Sequence, residues 1–285
     1  MRLSDYVMKY LEEINIKHIF MLSGGGIMFL VDSLGRSKIE YVCCHHEQAA
    51  GIAAQAYAMQ KNDLGVCMVT TGPGGTNALT AAGAAYVDST PVLFITGQVK
   101  TTDFATIRNV RQFGAQENDI VSMVKPITKY AVTILEANKI RYYLEKAVYL
   151  ALHGRKGPVW IDIPLDIQNE DIDEDTLESY KESEQQYSDI TAELYPNEQG
   201  IGDAITKTIM LLKEAKRPLF LVGHGVVAAK AQELFCKIVD KVKVPVVATW
   251  RALDVMDFED LYFFGSPGLQ ANRYSNIITQ GADLL

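Results

Sequence analysis

Two neighbouring strand-to-helix turns constrain the fold of this chain more than any other feature. A short predicted strand at residues 39–43 is followed by Glu47 and by a helical segment made largely of alanine and glycine. A second predicted strand, the apolar residues 64–71, leads through Gly72-Pro73-Gly74 into another alanine-rich segment. In consecutive βα units such turns lie at the carboxyl edge of one parallel sheet, where these folds bind ligands. We therefore expect Glu47 and the glycine turn to share one site.

The same alternation of strands and helices extends through the first part of the chain. The central strand segments are continuously apolar, which is typical of strands covered on both faces. The pattern predicts an α/β fold, with a parallel-sheet domain that carries helices on both faces. The predicted strands are residues 18–22, 39–43, 64–71, 91–96, 129–134 and 158–164.

An acidic segment divides the chain. Residues 169–198 contain eleven acids and one lysine, a net charge of −10 against −8 for the whole chain, so the remainder is close to neutral. We interpret this segment as a solvated linker rather than an acidic binding face. The expected domains are residues 1–168, then the linker at 169–198, then a second, incomplete Rossmann-like α/β domain at 199–285. The last residues, Asp283-Leu284-Leu285, have the pattern of a strand entry, which favours a truncated domain.

Composition excludes several classes of protein. No run of about 18 apolar residues exists, so no membrane span is expected. The N-terminus lacks the apolar core of a signal peptide, and no basic stripe with interleaved aromatic residues predicts a nucleic-acid surface. None of the four cysteines forms a CxxC pair, a usage that favours reduced thiols in a cytoplasmic protein. They are Cys43, Cys44, Cys67 and Cys236.

The residues of the two turns, taken one at a time, leave alternatives open. Glu47 alone could be an exposed acid in the first turn of a helix, where acids are favourable. Gly72-Pro73-Gly74 alone could be a tight turn, although glycines there would also let a flat ring approach the backbone closely. Asn77 follows three residues after the turn. Only their combination points to a site.

The order and spacing of these motifs resemble the pyrimidine-binding domain of thiamine-diphosphate enzymes, and within them the acetolactate synthase group. The similarity continues past residue 200 into the start of that family's central domain, so it covers nearly the whole chain. It is carried by Cys44-His45-His46-Glu47-Gln48-Ala49-Ala50, Thr71-Gly72-Pro73-Gly74-Gly75-Thr76-Asn77, Asp88-Ser89-Thr90-Pro91, Gln116-Glu117, Gly157-Pro158-Val159 and Gly223-His224-Gly225.

The resemblance implies a role for each matching residue. Glu47 would hydrogen-bond the cofactor's aminopyrimidine ring and so activate the cofactor, which makes it the expected catalytic residue. Gly72, Pro73, Gly74 and Asn77 would line the pyrimidine. The three glycines Gly24, Gly25 and Gly26 would approach the thiazolium side. Gln116 would face the substrate, a small 2-oxo acid, although Ala115 stands where the acetolactate synthase pattern has Phe and so leaves the donor acid open.

The resemblance also implies parts of the site that this chain does not supply. The family binds Mg²⁺ and the diphosphate through a Gly-Asp-Gly run in a third domain, and no Gly-Asp-Gly occurs in these 285 residues. We therefore predict no metal ligand in this chain and weak or absent cofactor binding by the chain alone. The family's sites form between subunits, so a homodimer or homotetramer is expected. FAD occurs in some relatives, but no segment here supports it.

Two other interpretations remain from the sequence. Residues 219–222 followed by Gly223-His224-Gly225 form a strand leading into a GxGxxA pattern of dinucleotide sites, but no acid ends the next strand about 20 residues later. The chain could also be a non-catalytic fragment or regulatory half-protein that only folds and dimerises. A cofactor-binding experiment distinguishes this last possibility from an enzyme.

Overall fold

A computed structural model describes residues 1–180 and 198–285 of the chain. The chain divides into two compact units, Met1–Tyr187 and Ser188–Leu285. The division falls within the acidic segment predicted to be a linker, of which residues 181–197 lie outside the described residues.

The first unit alternates helices and parallel strands. Its elements are α1 (Leu3–Glu13), β1 (His18–Leu22), α2 (Met28–Arg36), β2 (Glu40–Cys43), α3 (Glu47–Lys61), β3 (Gly65–Val69), α4 (Pro73–Asn77), α5 (Leu79–Val87), β4 (Val92–Gln98), α6 (Ala105–Arg108), α7 (Ile120–Val124), β5 (Tyr130–Thr133), α8 (Ile140–Leu152), β6 (Val159–Pro164) and α9 (Leu165–Asn169).

The strands form one six-stranded sheet in the order β2-β1-β3-β4-β6-β5, and every pairing is parallel. Alternate residues of β3 enter two different apolar clusters, because successive side chains of a strand point to opposite faces. Val66 and Met68 belong to the cluster that includes α1 and α8, whereas Cys67 and Val69 belong to the cluster that includes α3 and α5. The predicted α/β fold with both faces of the sheet covered is confirmed.

One predicted helix is divided. The sequence predicts a continuous helix from the Gly72 turn through Ala85, but α4 ends at Asn77 and α5 begins at Leu79. The break lies at Ala78, whose φ and ψ of −84° and −6° depart from α-helical values. Asn77, the residue before this break, hydrogen-bonds Glu47 at the start of α3.

The described beginning of the acidic segment packs against the first unit. The Leu3 N–H donates to Glu170 O at 2.9 Å, and the Ile172 N–H donates to Met1 O at 2.8 Å. The side chains of Ile172 and Leu177 are buried in the main apolar cluster. These contacts fix the start of α1 to the segment that leaves the sheet.

The second unit is a smaller α/β arrangement. The parallel pair β7–β8 has Phe220 opposite Val246, and Pro218 pairs in parallel with Leu284. Its elements are α10 (Glu198–Glu214), β7 (Phe220–Val222), α11 (Gly225–Ala228), α12 (Gln232–Val242), β8 (Val246–Ala248) and α13 (Arg273–Gly281). Across the described parts of both units, no helix is long and apolar enough to cross a membrane.

Candidate functional site

Glu47 is the first residue of α3 and is buried, with 8% of its surface exposed. The N-cap residue His46 is extended, and its Nδ1 accepts a hydrogen bond from the Gln48 N–H at 3.1 Å. A carboxylate in the first turn is stabilised by the positive end of the helix. The small residues of α3 let it lie close to α5: a Cβ at Gly51 would come within 2.5 Å of Ala81 Cβ.

One oxygen of the Glu47 carboxylate is held by Asn77, the last residue of α4. Asn77 Nδ2 donates to Glu47 Oε2 at 2.9 Å. The other oxygen, Oε1, has no hydrogen-bond partner among the described residues and faces the turn, where a Cβ at Gly74 would lie 3.6 Å from it. The carboxylate is therefore oriented by one oxygen and can accept a ligand hydrogen bond with the other.

Thr70 and Thr71 join the two glycine turns, although the sequence pattern assigned neither of them a role. The Gly26 N–H donates to Thr70 Oγ1 at 3.1 Å. A Cβ at Gly24 would lie 2.5 Å from Thr70 Cβ, and one at Gly26 would lie 1.9 Å from Thr71 Oγ1. Thr71 Oγ1 is buried with no hydrogen-bond partner in the described chain. The signal for both residues was their position directly before Gly72.

Gly72 and Gln116 meet through their backbones. Gly72 has φ of +64°, and a Cβ there would lie 2.0 Å from Gln116 O. Gln116 is itself left-handed, with φ of +61°. Such a conformation costs a non-glycine residue about 1–3 kcal/mol and persists only when its surroundings impose it. Gln116 lies in the segment 99–118 between β4 and α7, called the Gln116 loop below.

The structure thus brings most of the predicted site residues to one edge of the sheet. Gly25 differs from the other predicted site glycines, because a Cβ added there would meet nothing within 4 Å. The residues brought together are Gly24, Gly26, Glu47, Gly72, Pro73, Gly74, Asn77 and Gln116.

Comparison with known proteins agrees with this geometry. The family pattern described as "Thiamine pyrophosphate enzyme, N-terminal TPP binding domain" matches residues 1–123, and the one described as "Thiamine pyrophosphate enzyme, central domain" matches residues 205–285. The chain belongs to the thiamine pyrophosphate enzyme family. Gly223-His224-Gly225 lies inside the part of the chain that matches the central domain. The helix that follows it, α11, has only four residues, whereas a dinucleotide site needs a longer helix after its glycine motif.

Similar curated proteins are acetolactate synthases. The chain is 34% identical over 285 residues to the acetolactate synthase large subunit of Corynebacterium glutamicum, covering 98% of this chain and 42% of that protein. It is 32% identical to the probable large subunit of Methanocaldococcus jannaschii, covering 100% and 46%. It is also 32% identical to the isozyme 1 large subunit of Escherichia coli, covering 99% and 47%. The chain spans less than half the length of these relatives.

The site geometry of this thiamine pyrophosphate enzyme chain fits the pyrimidine part of the cofactor. Glycines stand where a Cβ would fill the space beside the turns, the Glu47 carboxylate offers Oε1, and the Thr71 hydroxyl is buried without a partner. A magnesium site is a different matter. Within residues 1–180 and 198–285, no group of three or more His, Cys, Asp or Glu side chains could hold a metal ion.

A second buried carboxyl, Asp162 on β6, lies beside this site. It is 1% exposed, and burial raises its pKa to about 7 even though hydrogen bonds favour the charged form. Asp162 accepts from Thr96 Oγ1 at 2.7 Å and from Gln98 Nε2 at 3.2 Å, and it lies 3.2 Å from Thr133 Oγ1. Nothing in the sequence pattern singles out this residue.

The raised pKa of Asp162 predicts a pH dependence of stability. Because the folded-state pKa of about 7 lies above the ordinary aspartate value of 3.8, folding takes up a proton between these two pH values. The free energy of unfolding should therefore fall as pH rises from about 4 to about 7 and level off above. Urea unfolding at pH 5 and pH 8 should show a larger loss in wild type than in Asp162→Asn. An identical loss in both proteins would contradict the assignment.

Proposed function

We propose that this chain is the N-terminal part of a thiamine-diphosphate-dependent 2-oxo acid decarboxylase and carboligase resembling acetolactate synthase. The observation that carries the proposal is the Glu47 carboxylate, buried and held at Oε2 by Asn77 while Oε1 faces Gly74. The matches to both domains of the family and the names of the relatives support the same reaction class.

Each residue then has a defined task. Glu47 Oε1 would hydrogen-bond a ring nitrogen of the aminopyrimidine, and Asn77 would keep the carboxylate in that orientation. Gly72 and Gly74 would let the ring approach the backbone, with Pro73 fixing the first turn of α4. Gly24 and Gly26 would do the same on the thiazolium side, where Gly25 contributes backbone alone. The cofactor, when bound, supplies the electron sink for decarboxylation.

Gln116 would contact the 2-oxo acid. Its backbone abuts Gly72, so a group at this position lies next to the proposed pyrimidine turn. Its side chain can donate and accept hydrogen bonds, which suits the carboxylate and carbonyl oxygens of the substrate. Because Ala115 precedes it, we do not restrict the donor to pyruvate.

The organisation of the complete protein is also a proposal. Residues 1–168 would be the pyrimidine-binding domain, residues 169–198 an acidic linker, and residues 199–285 the start of the central domain. The diphosphate and Mg²⁺ would be bound by a further domain, contributed by the partner in a cytoplasmic homodimer or homotetramer. Oxygen ligands are what Mg²⁺ requires in such sites.

Calorimetric titration tests this proposal and separates it from a non-catalytic role. Thiamine diphosphate with Mg²⁺ should bind the full-length protein, which should then turn over pyruvate or a larger 2-oxo acid. The 285-residue chain alone should bind weakly or not at all, because it has no Gly-Asp-Gly run. If the full-length protein neither binds the cofactor nor decarboxylates pyruvate or larger 2-oxo acids, the proposal is contradicted and a non-catalytic, regulatory role is supported.

A further inference from the structure

The Gln116 loop is closed at its base by one side chain, that of Gln98. Gln98 Nε2 donates to Asn118 O at 2.9 Å and to Asp162 Oδ2 at 3.2 Å, while Gln98 Oε1 accepts from the Val99 N–H at 3.0 Å. The amide thus joins the first residue of the loop, its last residue and the neighbouring strand β6. Gln98 is 5% exposed, so water does not compete freely for these bonds.

Asp162 anchors this amide to β6 in the same orientation that its two backbone partners require. Trp160 Nε1 can only donate, and it lies 2.9 Å from Thr96 Oγ1, so the Thr96 hydroxyl is free to direct its own proton to Asp162 Oδ1. Asp162 Oδ2 then accepts from the Gln98 amide nitrogen. With an acceptor at Oδ2, the amide keeps its nitrogen toward Asn118 O and its oxygen toward the Val99 N–H.

Within the loop, Glu117 provides a second restraint. Its Oε1 accepts from the Ala105 N–H at 2.7 Å, and its Oε2 accepts from the Phe113 and Gly114 N–H groups, each at 3.1 Å. These bonds fold the loop onto itself just before Gln116. The left-handed Gln116 therefore lies between a restraint at Gly114 and a restraint at Asn118, pressed against Gly72.

We propose that Asp162 is a positioning residue of the candidate site: through Gln98 it holds the Gln116 loop closed and keeps Gln116 against Gly72. The link to substrate rests on the proposed function, whereas the link to loop position does not. A cavity of about 390 Å³ is lined by Gln98, by loop residues that include Glu117 and Asn118, and by Thr133, so the loop borders open space on this side.

Hydrogen–deuterium exchange of the full-length protein tests the link directly. Asp162→Leu and Gln98→Leu should each raise the exchange rate of amides in residues 99–118 by at least about tenfold, the signature of a local opening. Thr133→Val is the matched control. Thr133 Oγ1 also donates to Asp162, but this hydrogen bond does not involve the Gln98 amide that closes the loop. The control variant should leave exchange in the loop unchanged. Asp162→Asn retains an acceptor for Gln98 and should restore most of the protection.

The double variant Gln98→Leu with Asp162→Leu separates positioning from general destabilisation. If Asp162 acts through Gln98, the double variant should exchange no faster in the loop than either single variant, since coupled residues are not additive. Exchange in β1 and β3 peptides reports global unfolding, and Gln98→Leu tests the same link without altering a buried charge. A loop that stays protected in Gln98→Leu, or additive effects in the double variant, would overturn the proposal.

Kinetics then connect the loop to the site. In the full-length enzyme, Gln98→Leu should raise KM for the 2-oxo acid, because it displaces Gln116, while leaving cofactor affinity within about twofold. If the exchange result holds but the protein has no 2-oxo acid activity, the positioning link stands and the proposed function fails. Unchanged KM with a mobile loop would instead show that the loop does not position a substrate-contacting residue.

Discussion

Replacing Glu47 with glutamine in the full-length protein is expected to reduce 2-oxo acid turnover by about 10²–10⁴-fold, the range of a lost proton-transfer group. Glutamine has nearly the same shape as glutamate. Its amide oxygen can still accept a hydrogen bond from Asn77 Nδ2, which donates to Glu47 Oε2 at 2.9 Å in the wild type. What it cannot do is share a proton with a ring nitrogen as a carboxylate does. Steady-state decarboxylation of pyruvate and of larger 2-oxo acids measures the loss.

The matched control for this change is Glu40→Gln. Glu40 is the first residue of the edge strand β2, at the end opposite the Glu47 turn, and its side chain is 79% exposed and pairs with His18 Nε2 at 3.1 Å. The same chemical change there should leave turnover within about twofold, since exposed ion pairs contribute little. Comparable losses in both variants would show that Glu47 has no special role.

Replacing Gly72 with alanine should lower the free energy of unfolding by about 2–4 kcal/mol. The left-handed φ of +64° disfavours any residue with a Cβ, and that Cβ would lie 2.0 Å from Gln116 O. Neither backbone can yield without disturbing the other, because Gln116 is also left-handed. Urea unfolding of wild type and variant measures the difference.

Gly25→Ala is the control from the neighbouring glycine turn. A Cβ at Gly25 meets nothing within 4 Å, so the free energy of unfolding should change by less than about 1 kcal/mol. Gly26→Ala, in which the Cβ would lie 1.9 Å from Thr71 Oγ1, should behave like Gly72→Ala. If Gly72→Ala were as stable as Gly25→Ala, the close approach of Gln116 to the turn would be refuted.

The fold was largely predictable because its signals are local. Continuous apolar runs mark strands covered on both faces, and alternation with helices implies a parallel sheet. The position of Glu47 at the start of α3 followed from the strand that ends just before it. The order of strands did not follow, because β6 lies between β4 and β5 through pairings that no local pattern encodes.

The site was predictable in its motifs but not in its supports. Thr70 and Thr71 look like ordinary strand residues, and only the fold brings them against Gly24 and Gly26. Asp162 lies in an apolar strand 64 residues after Gln98, so their hydrogen bond depends on the pairing of β4 with β6. Long-range contacts of this kind carry no signal in a single sequence.

If Glu47 activates the aminopyrimidine of thiamine diphosphate, loss of its carboxylate should slow ionisation of the cofactor at the thiazolium C2 atom. Exchange of the thiazolium C2 proton of bound cofactor for deuterium can be followed by NMR after acid quench, in full-length wild type and in Glu47→Gln. We expect fast exchange in wild type and exchange slower by at least about 10²-fold in the variant. Equal exchange rates, with the cofactor bound to both proteins, would contradict it.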